Sequence, residues 1–215
     1  GYRGLITEIN FKENAVISEI RDTLAFVDNH NYWDHPNSLP GHSWSFPFLH
    51  NQMSALRAAA WNPRTLMPSR IFGKPFTVTE INYVFPNRHR AESGPLLGAY
   101  ASLQDWDGLY RFAWSHDDKG VRHESPINRF DIAEDSLSQV AERVTNLMFV
   151  RGDVKPAPSG IAWPYGESTF REMNSIAEAN FPVDFSMLGF YCRIGSLREN
   201  RTFPEVKLIR KPKDF

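Results

Sequence analysis

The stretch Phe76-Thr77-Val78-Thr79-Glu80-Ile81-Asn82-Tyr83 constrains the fold of this chain more than any other segment. β-Branched and aromatic residues fill it, the side chains that suit a pleated and buried surface. Gly73-Lys74-Pro75 precedes it and Val84-Phe85-Pro86-Asn87 follows it. A short apolar run bounded by turn residues reads as a buried strand rather than a helix. Glu80 near its far end is the anomaly. A carboxylate on a buried strand is rare unless it is paired or used. Ion-pair networks serve structure as well as catalysis, so the strand alone does not decide between the two.

The neighbouring segments repeat the same design. Gly4 to Asn10 reads as another short buried strand, and it shares Thr-Glu-Ile-Asn with the central stretch. No longer repeat accompanies this echo, which is read as coincidence. Asn14 to Thr23 predicts a helix burying Val16, Ile17 and Ile20. Leu24 to Val27 is an apolar strand that empties into Asp28-Asn29-His30-Asn31-Tyr32-Trp33-Asp34-His35-Pro36. That cluster fits sugar binding, a metal site built on Asp28, His30, Asp34 and His35, or a hydrogen-bonded loop. The spacing matches no closed zinc pattern.

Pro36 to Arg70 is long and irregular, with a helical piece near Gln52 to Trp61. Such loops usually carry function, so this one is expected to wall a cleft. Trp44 and Trp61 are either stacking surfaces or the loop's own core. Ala91 to Asp105 predicts a helix, Asp107-Gly108 a turn, and Leu109 to Trp114 a strand ending in Ser115-His116-Asp117-Asp118. Phe130 to Phe149 predicts an amphipathic helix burying Ile132, Leu137, Val140, Val144, Leu147 and Met148.

Strands alternating with helices at this spacing imply right-handed βαβ units and a parallel sheet. Polar residues collect after each strand's C-terminal end, as at the functional face of a (β/α)8 barrel. A doubly wound sheet would also bind there, but usually with a glycine-rich phosphate loop, and the sequence has none. The expected fold is therefore α/β, the C-terminal part of a TIM barrel spanning about strands 5 to 8.

With 215 residues and 41% hydrophobic content the chain can bury a sizeable core. A net charge of −1 gives no support to a nucleic-acid partner, and no apolar run approaches the roughly 18 residues of a membrane helix. The single cysteine, Cys192, excludes an internal disulfide framework. Six Trp and seven Tyr, several beside His, Asn and Asp, suit surfaces that stack on ring-shaped ligands.

An apolar strand leading to His30-x-Tyr32, then one ending Thr79-Glu80, then one ending Trp114, resembles the last three strands of clan A glycoside hydrolases. Gln104 to Gly108 and Leu147 to Val154 are similar to segments of large bacterial members with agarase-like or galactosidase-like barrels. The resemblance covers roughly residues 1–155. It implies that Glu80 is the nucleophile, that His30 and Tyr32 orient it, and that Trp114 is the sugar platform. Trp33, Asn82, His116 and Trp44 are the further substrate-binding candidates, with no metal and no cofactor. One departure stands out. The clan's acid/base Glu follows an Asn at the end of strand four, and no such pair precedes His30. Glu8 is a poor substitute, because Asn10 lies on its wrong side.

These readings predict a barrel half at residues 1–155 and the start of an accessory α/β or β domain at 156–215, after the linker signal Pro156-Ala157-Pro158-Ser159-Gly160. In that second part Ile161 to Trp163 and Met187 to Ile194 read as strands, Ser168 to Ala179 as a helix, and Lys207, Arg210, Lys211 and Lys213 as a solvated basic tail. The chain begins at Gly1 without a Met, so an excised piece of a larger bacterial, secreted or periplasmic protein is expected. The expected activity is retaining cleavage of β-glycosidic bonds in an oligo- or polysaccharide. The alternative is a non-catalytic carbohydrate-binding or scaffold protein. A missing N-terminal half, or self-association, is expected to cover the open edge.

Overall fold

A computed structural model describes residues 3–45, 47–173 and 175–209. In chain order they form α1 (Ala15–Arg21), β1 (Val27–Trp33), β2 (Asn37–Ser38), β3 (Phe48–Leu49), α2 (Trp61–Arg64), β4 (Phe76–Tyr83), α3 (Ser93–Leu103) and β5 (Gly108–Arg111). Then come α4 (Asp118–Val121), α5 (Ser136–Thr145), β6 (Gly160–Tyr165), α6 (Glu167–Arg171), α7 (Val183–Met187), β7 (Arg193–Arg198) and β8 (Val206–Leu208). The architecture is mixed α/β. One three-stranded parallel sheet has the order β1-β4-β5, a second has the order β7-β6-β8, and β2 and β3 make a small antiparallel hairpin. Among the described residues the sheets stay open and close no barrel.

β4 is the centre of the first sheet because its sequence can be buried on both sides. Phe76, Val78 and Ile81 are fully buried and Tyr83 nearly so. Each such aliphatic or aromatic side chain is worth roughly 1.5–3 kcal/mol of burial. Asp107 staples the entry to this sheet, its Oδ2 accepting from the Phe76 amide at 2.8 Å while its own amide donates to Phe76 O. The core then runs on without a break: Trp163, Tyr165, Phe185 and Ile194 share one apolar cluster with Val27, Phe76 and Ile81. Ile71 bridges Ser196 in parallel, so the chain entering β4 also borders β7. The boundary near residue 155 thus separates two sheets that share a core.

Several expected elements differ in detail. Residues 4–10 form no regular strand, yet Ile6 O accepts from the Ala25 amide and Asn10 O from the His30 amide, at 2.9 and 2.8 Å. The segment therefore runs beside β1 in the parallel sense. Helix α1, capped by Asn14 Oδ1 on the Ile17 amide, buries Ala15, Ser18 and Arg21 instead of Val16 and Ile20, which are exposed. Arg21 reaches Ile9 O and Asn29 Oδ1 while Ser18 bonds Ser196, and these polar anchors turn the helix. Asp28 to Trp33 is strand rather than loop. The apolar run expected as a strand at 187–194 is helical up to Phe190, and β7 begins only at Arg193. Lys207 lies in β8, whereas Arg210, Lys211 and Lys213 fall outside the described residues.

The stripe expected on the helix over 130–149 holds only in part: Ile132 is buried, and Val144 and Met148 are half-buried. Leu137, Val140 and Leu147 are exposed, and the face turned inward carries Ser138, Ala141 and Thr145. Small residues win because α3 brings Gly94 and Gly98 against them. A Cβ at Gly94 would collide with the Ala141 carbonyl oxygen, and one at Gly98 would lie 2.9 Å from Thr145 Cα. Gly94→Ala is therefore expected to lower stability, although alanine gains about 1 kcal/mol in helix propensity. Overpacking against rigid backbone costs about 1–3 kcal/mol. Thermal melting checks this, and a midpoint equal to or above wild type contradicts the tight helix contact.

Candidate active site

The apolar positions of β4 change parity in mid-strand. Phe76 and Val78 face the core, Thr79 and Glu80 are both half-buried, and Ile81 and Tyr83 return to the core. The β1–β4 register slips at this point: Asn29 pairs Val78, but His30 pairs Glu80. An extra residue in one strand re-aims the side chains around it. Here it brings two consecutive polar side chains to the β1 side without unburying the rest of the strand.

Asp28 is the anchor beneath them. It is 3% exposed and accepts from Thr77 Oγ1 at 2.9 Å, Thr79 N at 3.0 Å and Thr79 Oγ1 at 2.6 Å. These donors satisfy a charge that burial would otherwise make costly. Thr79 spends its one proton on Asp28, and its Oγ1 lies 3.0 Å from His30 Nε2. Asn10 lies 3.0 Å from the same nitrogen, and Phe11 packs edge-on against the imidazole. The other ring nitrogen, Nδ1, is 3.4 Å from Glu80 Oε2. Tyr32 completes the set by donating to Glu80 Oε2 at 2.6 Å. Burial, reinforced by this bond to the carboxylate, pushes the Tyr32 phenol above its ordinary value. The phenol remains a proton donor across the physiological range. The Glu80 side chain is 31% exposed, open to a ligand on one side and oriented on the other.

β1, β4 and β5 are parallel, so Tyr32, Glu80 and the residues after Arg111 gather at one end of the sheet. Tyr32 packs edge-on against Phe130, Phe112 and His35, with ring centroids 5.3, 6.3 and 5.5 Å apart. Trp44, at 65% exposure, stands edge-on to His35 and links the β2–β3 hairpin to this wall. Trp114 follows β5 at the same end with 58% exposure, its carbonyl held by the amides of Ile132 and Ala133. His116 is also there, against Phe112 and Phe130.

No family model, curated protein or solved structure matches the chain. The site must therefore be read from its own chemistry.

Two of the expected substrate contacts are structural. Trp33 is 9% exposed, packs with Trp61 and Tyr83, and gives its indole N–H to Met53 O. It is core, not a platform. Asn82 is 5% exposed and spends its amide donors on Phe112 O and Phe130 O, fastening the loop after β5 to β4. Asp34, from the metal reading, accepts from the Asn51 and Gln52 amides and from Asn87, which fixes the long loop. Among the described residues no group of three or more His, Cys, Asp or Glu side chains is arranged to hold a metal ion. No helix among them is long and apolar enough to cross a membrane. Sequence reasoning missed the roles of Asp28, Thr79, Asp131 and the aromatic pair Phe112 and Phe130. The broken alternation in Phe-x-Val-x-x-Ile-x-Tyr was a signal for the bulge.

Proposed function

We propose that the chain is the C-terminal part of a (β/α)8-barrel glycoside hydrolase that cleaves β-linked oligo- or polysaccharides with retention, Glu80 acting as nucleophile. One observation carries this reading: a partly exposed carboxylate at the sheet's C-terminal end is gripped on one oxygen by Tyr32 at 2.6 Å and flanked by His30. The Tyr32 hydrogen bond holds the carboxylate in one orientation, which attack on an anomeric carbon requires. Trp114 and Trp44 are the exposed aromatics on which a pyranose can stack.

In this reading the acid/base partner lies outside the described residues. Retention needs a second carboxyl about 5–5.5 Å from the first. Asp28 has both oxygens hydrogen-bonded, and Asp131 is occupied by His116. In this reading a complementing barrel half would supply the partner and cover the open flanks. Those flanks are apolar: Leu5 and Ile6 on one side, Leu137, Val140 and Leu147 on the other. A second reading, a carbohydrate-binding protein without catalysis, draws on the hydrogen bonds that occupy Asp28 and Asp131. The stereochemistry of the product separates the two. The completed enzyme is expected to release the β-anomer first from a β-glycoside, followed by proton NMR before mutarotation. Release of the α-anomer first, or no turnover of any β-glycoside, contradicts the proposal.

A further inference from the structure

Past β5 lies a second paired imidazole. Asp131 is buried, with its side chain 3% exposed, and both its oxygens go to one residue: Oδ2 accepts the His116 amide at 2.9 Å and Oδ1 holds His116 Nδ1. A carboxylate on Nδ1 fixes the tautomer and the ring orientation, leaving Nε2 as the working nitrogen. The His116 side chain is 41% exposed against 3% for Asp131, so the imidazole is the open member of the pair. Its ring stands edge-on to Phe112 at 5.3 Å and tilted to Phe130 at 6.5 Å, the two rings that also pack on Tyr32. An unbroken aromatic wall therefore connects the donor of Glu80 to the imidazole of His116.

We propose that His116 contacts the bound sugar through Nε2, taking a ring hydroxyl at a position beside the one attacked, with Asp131 as its positioning residue. The inference rests on the glycosidase reading and adds a specificity contact to it. A hydroxyl suits this nitrogen in either state, donating to the neutral ring and accepting from the charged one. The bare alternative is a brace: a surface imidazole closing the loop over a buried acid, with no ligand.

Selective 15N labelling of histidine in the full chain tests it, with methyl β-D-galactopyranoside and methyl β-D-glucopyranoside as separate probes. The expected result is a saturable shift of His116 Nε2 with at least one of them. His116→Ala and Asp131→Asn each weaken that binding by about three- to tenfold, the worth of one hydrogen bond. The double variant is no weaker than either, because the two act as one unit, and His116→Gln recovers part of the loss. Saturable shifts near Tyr32 with His116 unmoved, and unchanged affinity in His116→Ala, overturn the contact while leaving the glycosidase reading intact. A lower melting temperature in Asp131→Asn with unchanged affinity assigns the pair to bracing and also overturns it. No saturable shift anywhere with either glycoside removes the reading and the contact together.

Discussion

Glu80→Ala is expected to lower turnover of a β-glycoside by roughly four to six orders of magnitude in the completed enzyme, as loss of a catalytic nucleophile does elsewhere. The strand that carries Glu80 needs the backbone bulge and the buried neighbours, not the carboxylate, so the fold survives. Azide is then expected to restore part of the activity. It enters the space vacated by the carboxylate, attacks from the same face, and leaves as a glycosyl azide of inverted configuration. Tyr32 and His30 remain to orient whatever occupies that space. Unchanged turnover in Glu80→Ala removes this residue from the chemistry.

The second large effect concerns the proton. In the proposed reading the general acid comes from outside the described residues, and such help is worth about 10²–10⁴-fold. On that reading these 215 residues alone are expected to hydrolyse ordinary glycosides slower by about that factor than the chain joined to the barrel half the proposal calls for. Aryl glycosides with acidic leaving groups need no proton and are expected to show a much smaller difference. The open flanks give a physical companion to the kinetics. Leu5 at 79% and Val140 at 57% exposure are apolar surfaces that a neighbouring strand and helix would cover. Joining the two halves should raise activity on natural substrates and reduce self-association in sedimentation. Full activity on natural glycosides from the chain alone places the acid among these residues and refutes the strand assignment.

What was legible in the sequence follows what is local. β4 runs from Phe76 to Tyr83 as read, because β-branched residues between two turns need no distant information. The α5 stripe failed in part, for a long-range reason. Leu137, Val140 and Leu147 have helical spacing, but the inward contact is set by Gly94 and Gly98 of α3, which carry no hydrophobic signal. The run at 187–194 failed because a short apolar stretch fits helix or strand equally, and the helical turns from Val183 to Phe190 took its first half. In the site, the pairing of Glu80 with Tyr32 was implied by the family resemblance, and the fold brings the two to 2.6 Å. Asp28 beneath Thr79, and Asp131 beneath His116, were not implied, since each joins residues whose proximity only the folded chain creates.

The most direct test of the central claim is to trap the covalent intermediate on Glu80. A 2,4-dinitrophenyl 2-deoxy-2-fluoro-β-glycoside carries a leaving group that departs without a proton, so attack needs the nucleophile alone. The fluorine and the lack of a base both slow hydrolysis of the ester that forms, so it accumulates. Intact mass should rise by one fluoroglycosyl unit, and peptide mapping should place it on Glu80 within residues 76–83. A label on any other carboxylate, or dinitrophenolate release with Glu80 unmodified throughout, contradicts the account.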